Sequence, residues 1–308
     1  MQLIPFTKAH GAKNDFVIVD DRNGKFDADS RRRFARDSAH RRTGIGSDGT
    51  IFIDASEHHD FRMAFYNPDG SEGSMCGNGG RCAALYAFTH GIARADMHFE
   101  VLGRSYAAEV SAREEHISAT GEHISATGEH KGVATQVRLA FPPPLHIEFG
   151  LQLETAYGMI PADYVDNGAP HLLVFAQDLP GTLRDSFDAL DMERIGPPLR
   201  QHPRFSPRGC NVNVLEKNTD GTVRLRTFEK GVEAETWACG TGTLAAGMVA
   251  HHRLDLPSPI HLRTHGNDLL TVRFTPDLNS TPDTPTYFAQ DLALEGPAVL
   301  VYDGTFPL

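Results

Sequence analysis

The chain has 308 residues, 40% of them hydrophobic, a length that divides into about two domains of ordinary size and a composition that rules out disorder as its main state. Its 29 basic and 40 acidic residues leave a formal charge of -11, the wrong sign for a protein that gains affinity by neutralising phosphates, so nucleic acid is not an expected partner. No run approaches the roughly 20 consecutive apolar residues of a membrane helix, and residues 1–6 lack the basic and apolar regions of a secretory signal, so a cytoplasmic protein with no membrane partner is expected.

Strand character comes first, at residues 15–20 (DFVIVD) and 49–54 (GTIFID), on either side of a helical stretch over about 29–42 that stops at Gly44. The basic run Arg31, Arg32, Arg33, Arg36, Arg41 and Arg42 is interleaved with Asp29 and Asp37 and reads as a solvated helix face. Phe61, Met63 and Phe65 alternate with Arg62, Ala64 and Tyr66, a strand period that runs into the turn Asn67-Pro68-Asp69-Gly70. After the glycine-rich segment 76–80, residues 81–90 have helix-forming composition and stop at Gly91. The heptapeptide EHISATG then occurs twice in tandem at 115–128 and lacks the apolar positions of a coiled coil, so it reads as an expanded surface hairpin or loop. His116, His123 and His130 recur there at spacing seven, and a duplication without function is favoured over a metal site. Residues 137–141 read as a strand, and the prolines 142–144 that follow mark a boundary between lobes.

A second strand-loop-helix unit follows, with a strand at 223–228, a loop at 229–237 and a helix opened by Cys239-Gly240-Thr241-Gly242 and running towards His252. It matches the first unit without a gap at a fixed offset of 163 residues. Phe65 aligns with Phe228, Glu72 with Glu235, Cys76 with Cys239, Gly77 with Gly240, Gly79 with Gly242 and Ala83 with Ala246. One such pair signals an internal duplication into two related lobes, and two similar halves usually build a site between them. The matched Glu72 and Glu235 are read as carboxylates suited to a helix start.

The four cysteines, at 76, 82, 210 and 239, are too few and too widely spaced for a disulfide framework. Cys82 and Cys210 read as structural thiols. Cys76 and Cys239 differ, because each directly precedes a glycine-rich turn that opens a helix. Backbone N–H groups at a helix start lack intrahelical partners, and with the helix dipole they stabilise a thiolate and can hold a substrate carboxylate. A thiol pKa of about 8.5 can fall to near neutrality in such a setting. Neither turn carries the G-K-[ST] ending of a phosphate loop or a dinucleotide fingerprint. A cysteine hydrolase would leave the second, equivalent cysteine unexplained. Two thiols, one from each lobe, suit a reaction in which one group removes a proton from carbon and the other returns it on the opposite face, which is racemisation or epimerisation.

The segments Lys13-Asn14-Asp15-Phe16, Asn67-Pro68-Asp69-Gly70-Ser71, Cys76-Gly77-Asn78-Gly79-Gly80-Arg81-Cys82, Glu229-Lys230-Gly231 and Glu235-Thr236-Trp237-Ala238-Cys239-Gly240-Thr241-Gly242 resemble the diaminopimelate epimerase family, as does the ending Gly296-Pro297-Ala298 with Val301-Tyr302-Asp303-Gly304. The resemblance implies an isomerase that interconverts LL- and meso-diaminopimelate in lysine and peptidoglycan precursor synthesis, with neither pyridoxal phosphate nor a metal. It implies an α/β (α+β) fold of two pseudo-symmetric lobes, each a strongly curved sheet around a central helix, with the active site in the cleft between them. The lobes would comprise residues 1–140 with the returning segment 295–308, and residues 141–294. By the family pattern Cys76 and Cys239 are the base and acid pair, exchanging roles with reaction direction. Gly77, Asn78, Gly240 and Thr241 would donate backbone N–H bonds to the α-carboxylate, while Asn14, Asn67, Asn211, Glu229 and Lys230 would hold the other amino and carboxylate groups. His171 sits where the family places a histidine near the cysteines, and a homodimer is the oligomeric form the resemblance suggests.

Two positions depart from the family pattern. Ala169 stands where many members have Asn before Pro-His, and Lys230 where many have Arg, which gives up the bidentate fork that suits a carboxylate. Asn167 is the candidate to compensate. A racemase of a related amino acid on the same scaffold and a non-catalytic amino-acid-binding protein remain as alternatives.

Overall fold

In the computed structural model, which describes residues 2–111, 132–276 and 289–308, the chain begins with a hairpin. Ala12 and Lys13, at φ 52° and 65°, turn it in the left-handed region that two-residue hairpins require, joining β1 (Leu3–Gly11) to β2 (Asn14–Asp20). That turn sets Asn14 at the start of a strand whose next four apolar residues are buried. The chain then crosses through α1 (Ala28–Ala39) to β3 (Gly49–Asp54), parallel to β2, and returns antiparallel as β4 (Phe61–Tyr66). A second crossover through α2 (Gly77–Thr89) leads to β5 (Asp96–Val101), parallel to β4, followed by β6 (Arg104–Val110) and β7 (Thr135–Ala140). Residues 299–307 of the final strand pair with β1, and that strand also neighbours β7, so the strand run of this unit curls back on itself. Residues Met1–Leu139 with Gly296–Leu308 form this first compact unit.

The second unit, Ala140–Glu295, repeats the plan. After β8 (His146–Thr155) and β9 (Gly158–Asp166), β10 (Pro170–Phe175) crosses through α3 (Met192–Arg200) to the parallel β11 (Asn211–Lys217). Then come the antiparallel β12 (Val223–Glu229), a short β13 (Ala234–Thr236), and α4 (Gly240–Leu254), which crosses to β14 (Ile260–Thr264), parallel to β12. Next follow β15 (Leu269–Pro276) and the start of β16 (Ala289–Pro307). The sequence of parallel and antiparallel pairings from β2 to β6 recurs from β10 to β15, so the offset of 163 residues marks a duplicated supersecondary unit.

In each unit one helix is the centre. Residues 77–87 of α2 are buried among β1, β2, β3, β4 and β6, and α4 is buried over most of its first eleven residues against β9, β10, β11, β12, β14 and β15. Both helices are rich in glycine and alanine because strands approach from all sides. A Cβ on Gly247 would lie 2.7 Å from Cβ of Val272 on β15. The other helix of the first unit packs through aromatic side chains, Phe34 meeting Phe26, Phe52 and Phe306 edge to face, each such pair contributing about 1 kcal/mol beyond its buried area.

Several expectations shift. Helix α1 ends at Ala39, not near Arg42, because the N–H groups of Gly44, Ile45, Gly46 and Ser47 take the carbonyls of His40, Ser38 and Ala39 and fold the chain back. Its Arg31 does not belong to a solvated face: the guanidinium is largely buried between Asp21 and Asp54. Helix α2 starts at Gly77, with the glycines inside its first turn, where a Cβ on Gly80 would lie 2.5 Å from Cε of Met75. On β4 only Arg62 is exposed, since both faces of the strand are covered. The loop over 229–237 contains β13, and the expected strand at 137–141 lies at 135–140. Glu235 is not a helix-start carboxylate, because it sits on β13 held by both Nε and Nη2 of the buried Arg226 at 2.6 and 2.7 Å. Glu72 makes an isolated antiparallel backbone bridge with Tyr66 at the end of β4. The tandem EHISATG repeat and its histidines lie outside the described residues.

Candidate active site

Cys76 occupies the cap position of α2 in extended conformation (φ -106°, ψ 115°), and Cys239 does the same for α4 (φ -118°, ψ 113°). The first intrahelical bonds are Gly80 N–H to Cys76 C=O at 2.8 Å and Thr243 N–H to Cys239 C=O at 2.9 Å. The N–H groups of residues 77–79 and 240–242 belong to the first turns that follow each cysteine, the end of a helix whose dipole favours negative charge. Glycine at 242 lets the Asn213 side chain come close to the start of α4. A Cβ on Gly242 would lie 2.6 Å from Oδ1 of Asn213 and 3.3 Å from Sγ of Cys239.

Around Cys76 the amides are oriented by charged neighbours. Asn14 Nδ2 donates to Asp48 Oδ2 at 2.7 Å, so its Oδ1 is turned to accept from Asn78 Nδ2 at 3.3 Å and from the Cys76 thiol at 3.8 Å. Asn78, itself buried, accepts at Oδ1 from Nη2 of the fully buried Arg81 at 2.9 Å. Asp48 in turn belongs to a cluster with Asp15, Arg41 and Lys8. Burial and the adjacent charge of Asp15 raise the Asp48 carboxyl above the usual range. Burial also acts to raise Asp15, but Arg41 and Lys8 outweigh it and hold the carboxyl at about 2. Asn67 stands apart at the end of β4, its Nδ2 donating to the Ser71 hydroxyl at 3.0 Å.

Around Cys239 the first neighbour is the Thr241 hydroxyl, 3.6 Å from the sulfur and 3.0 Å from Nε2 of His171 on β10. Asn167 Nδ2 donates to the Thr241 carbonyl at 2.8 Å, while its buried Oδ1 has no hydrogen-bond partner among the described residues. A second group gathers at the ends of β11 and β12. Asn211 accepts the Lys230 backbone N–H at 2.8 Å and donates to the Pro170 carbonyl at 3.1 Å. Lys230 Nζ reaches the Arg208 carbonyl at 3.3 Å, and Glu229 accepts from the Thr236 hydroxyl at 3.0 Å. Cys82 and Cys210 are buried, and burial pushes both thiols up to about 12, which leaves Cys76 and Cys239 as the thiols in a helix-start setting. Among the described residues no group of three or more His, Cys, Asp or Glu could hold a metal ion.

Four participants carried no earlier assignment: Asp48, Arg81, Asn213 and Thr227, whose hydroxyl donates to Asn213 Oδ1 at 2.9 Å. Two had a signal in the chain. Asn213 stands two residues after Asn211, so on a strand the two share a face, and Arg81 follows Asn78 by three, which on a helix makes them neighbours. Asp48 and Thr227 carried none.

A family model of diaminopimelate epimerase matches residues 6–125 and 164–277. A diaminopimelate epimerase of Chlorobaculum tepidum is 36% identical over 301 residues, 97% of this chain and 99% of its own, and one of a Hydrogenobaculum species is 32% identical over 307 residues, 97% and 96%. Among solved structures, a hydroxyproline epimerase from Agrobacterium vitis superposes with a TM-score of 0.69 over 99% of this chain and 93% of its own at 16% identity, a likeness of fold. No helix among the described residues is long and apolar enough to cross a membrane.

Proposed function

The chain belongs to the diaminopimelate epimerase family, and on that premise we propose that it interconverts LL- and meso-diaminopimelate with Cys76 and Cys239 as a thiolate and thiol pair, in lysine and peptidoglycan precursor synthesis. The observation that carries the reading is the repeated one: in both units a cysteine caps a buried, glycine-opened helix. One thiolate takes the α-proton, the carbanion's electron pair spreads into the α-carboxylate, and the other thiol delivers a proton to the opposite face. The first sulfur ends as thiol and the second as thiolate, so charge and protons balance and the roles are reversed for the next turnover. The reading requires both sulfurs to reach one α-carbon.

Carbanion formation concentrates charge on the carboxylate, where the first-turn N–H groups of Gly77, Asn78, Gly240 and Thr241 act as fixed donors. Asn14 and Asn67 in one unit, and Asn211, Glu229 and Lys230 in the other, are assigned to the remaining amino and carboxylate groups. Asn211 and Lys230 are already held by each other and by neighbouring carbonyls, which stiffens that end of the site. The unfilled Oδ1 of Asn167 supports that residue as an acceptor for a substrate ammonium.

Incubation of the reduced protein with LL-diaminopimelate in heavy water tests the proposal. Solvent deuterium at the α-carbon together with meso product is expected, and Cys76→Ser and Cys239→Ser each remove the meso product. A racemase of a related amino acid is the second reading, favoured because Ala169 offers no polar side chain and Lys230 spends its ammonium on the Arg208 carbonyl. Exchange confined to another amino acid in the same assay would establish it.

A further inference from the structure

The hydrogen bonds behind Cys239 have only one consistent direction. Asn213 Nδ2 lies 3.0 Å from the Leu172 carbonyl, which can only accept, and its Oδ1 lies 2.9 Å from the Thr227 hydroxyl, so the amide cannot be turned over. The second Nδ2 hydrogen then meets Nδ1 of His171 at 3.2 Å, and that nitrogen must present its lone pair. A neutral imidazole whose Nδ1 accepts carries its proton on Nε2, which faces the Thr241 hydroxyl at 3.0 Å. A hydroxyl that accepts from the ring directs its own proton elsewhere, and the Cys239 sulfur lies 3.6 Å away.

We propose that Asn213 and Thr227 are positioning residues that lock His171 in its Nε2–H tautomer, so that Thr241 is held as a hydrogen-bond donor to the Cys239 thiolate. This rests on the reading of Cys239 as a group that works as a thiolate. His171 and Asn213 are fully buried and Thr227 is 2% exposed, so water does not compete for these bonds. Burial holds the His171 ring neutral, its pKa lowered to about 3, so the row keeps one direction across the range in which a cysteine works. The row reaches the helix start because residue 242 is glycine; the counterpart Gly79 instead faces terminal methyl groups of Ile51 and Met63, both at 3.3 Å.

The experiment has two arms. In the full-length wild-type protein with nitrogen-labelled histidine, the ring whose signals do not move between about pH 8 and about pH 5 is expected to show Nε2 protonated and Nδ1 bare; the reverse pattern overturns the proposal without any variant. The other arm follows alkylation of Cys239 by iodoacetamide, read by peptide mass. A charge-assisted bond has a strength for which its loss slows the reaction at about pH 7 roughly tenfold in Thr241→Val and several-fold in Asn213→Leu, with Thr241→Ser near wild type. At about pH 10, where the thiol is ionised in every variant, the rates converge, whereas a merely structural role would leave them apart. Equal rates near neutrality in folded variants, or a deficit that persists in base, overturn the relay. Absence of α-proton exchange in a wild-type protein that shows the expected tautomer and rates would instead overturn the epimerase reading and support the relay.

Discussion

Alanine at two glycines that the duplication makes equivalent should have unequal consequences. Each is the third residue of its central helix, so each substitution gains a similar helix preference, about 0.5 to 1 kcal/mol. In Gly79→Ala the new methyl meets Cδ1 of Ile51 and Cε of Met63 at 3.3 Å, ends of flexible side chains that can withdraw by a few tenths of an ångström. Its net effect is expected to lie within about 1 kcal/mol of zero. In Gly242→Ala the methyl would sit 2.6 Å from Asn213 Oδ1, and the amide cannot yield without stretching its bonds to Thr227, Leu172 and His171 at 2.9, 3.0 and 3.2 Å. Leaving one such buried group unsatisfied costs about 1 to 3 kcal/mol, so after the helix gain a net loss of about 1 kcal/mol, and up to about 2.5 kcal/mol, follows. Urea unfolding followed by far-ultraviolet circular dichroism measures both. The two substitutions at residues 242 and 213 share one clash, so Gly242→Ala combined with Asn213→Ala should cost less than the sum by about 1 kcal/mol. Equal destabilisation at the two glycines, or strict additivity in the double variant, would refute the account of why residue 242 is bare.

Two further effects follow from buried charge. The folded pKa of His171 is lowered from 6.5 to about 3, so below pH 6.5 the unfolded chain binds a proton that the folded protein refuses. The stability this contributes is complete above pH 6.5 and falls by about 1.4 kcal/mol per pH unit as the pH drops towards 3. Wild type measured by urea at pH 7, 6 and 5 (about one unit apart) should lose this increment relative to His171→Gln, and parallel curves would contradict the assignment. In the first unit, Arg31 donates to Asp54 at 2.9 Å and also contacts Asp21, whose side chain is fully buried. Arg31→Met leaves the buried Asp21 carboxylate without its ion-pair partner, while Asp54 keeps Arg62 at 3.0 Å, and should cost about 3 kcal/mol by denaturant midpoint, while a loss below about 1 kcal/mol would show that water reaches Asp21.

Wherever the physics is local, the sequence was enough. The alternating and clustered apolar runs located β2, β3, β4 and β12, the offset of 163 residues exposed the duplication, and a cysteine followed by glycines marked both helix starts, because strand period, helix entry and backbone freedom are properties of neighbours along the chain. The same locality explains the errors. Nothing within a turn of Arg31 shows that its partners are Asp21 and Asp54, and nothing near Glu235 except its distant strand mate Arg226 shows that it is spent on an ion pair.

Tertiary structure decided how the reactive groups are held. Asp48 orients Asn14 across 34 residues, Thr241 meets His171 across 70, and Asn213 meets His171 across 42. A hydrogen bond is sensitive to tenths of an ångström and to which atom of an amide or ring carries the proton. Spacing in a sequence names residue types but not those directions, which arise only when separate strands are brought into register beside the same helix.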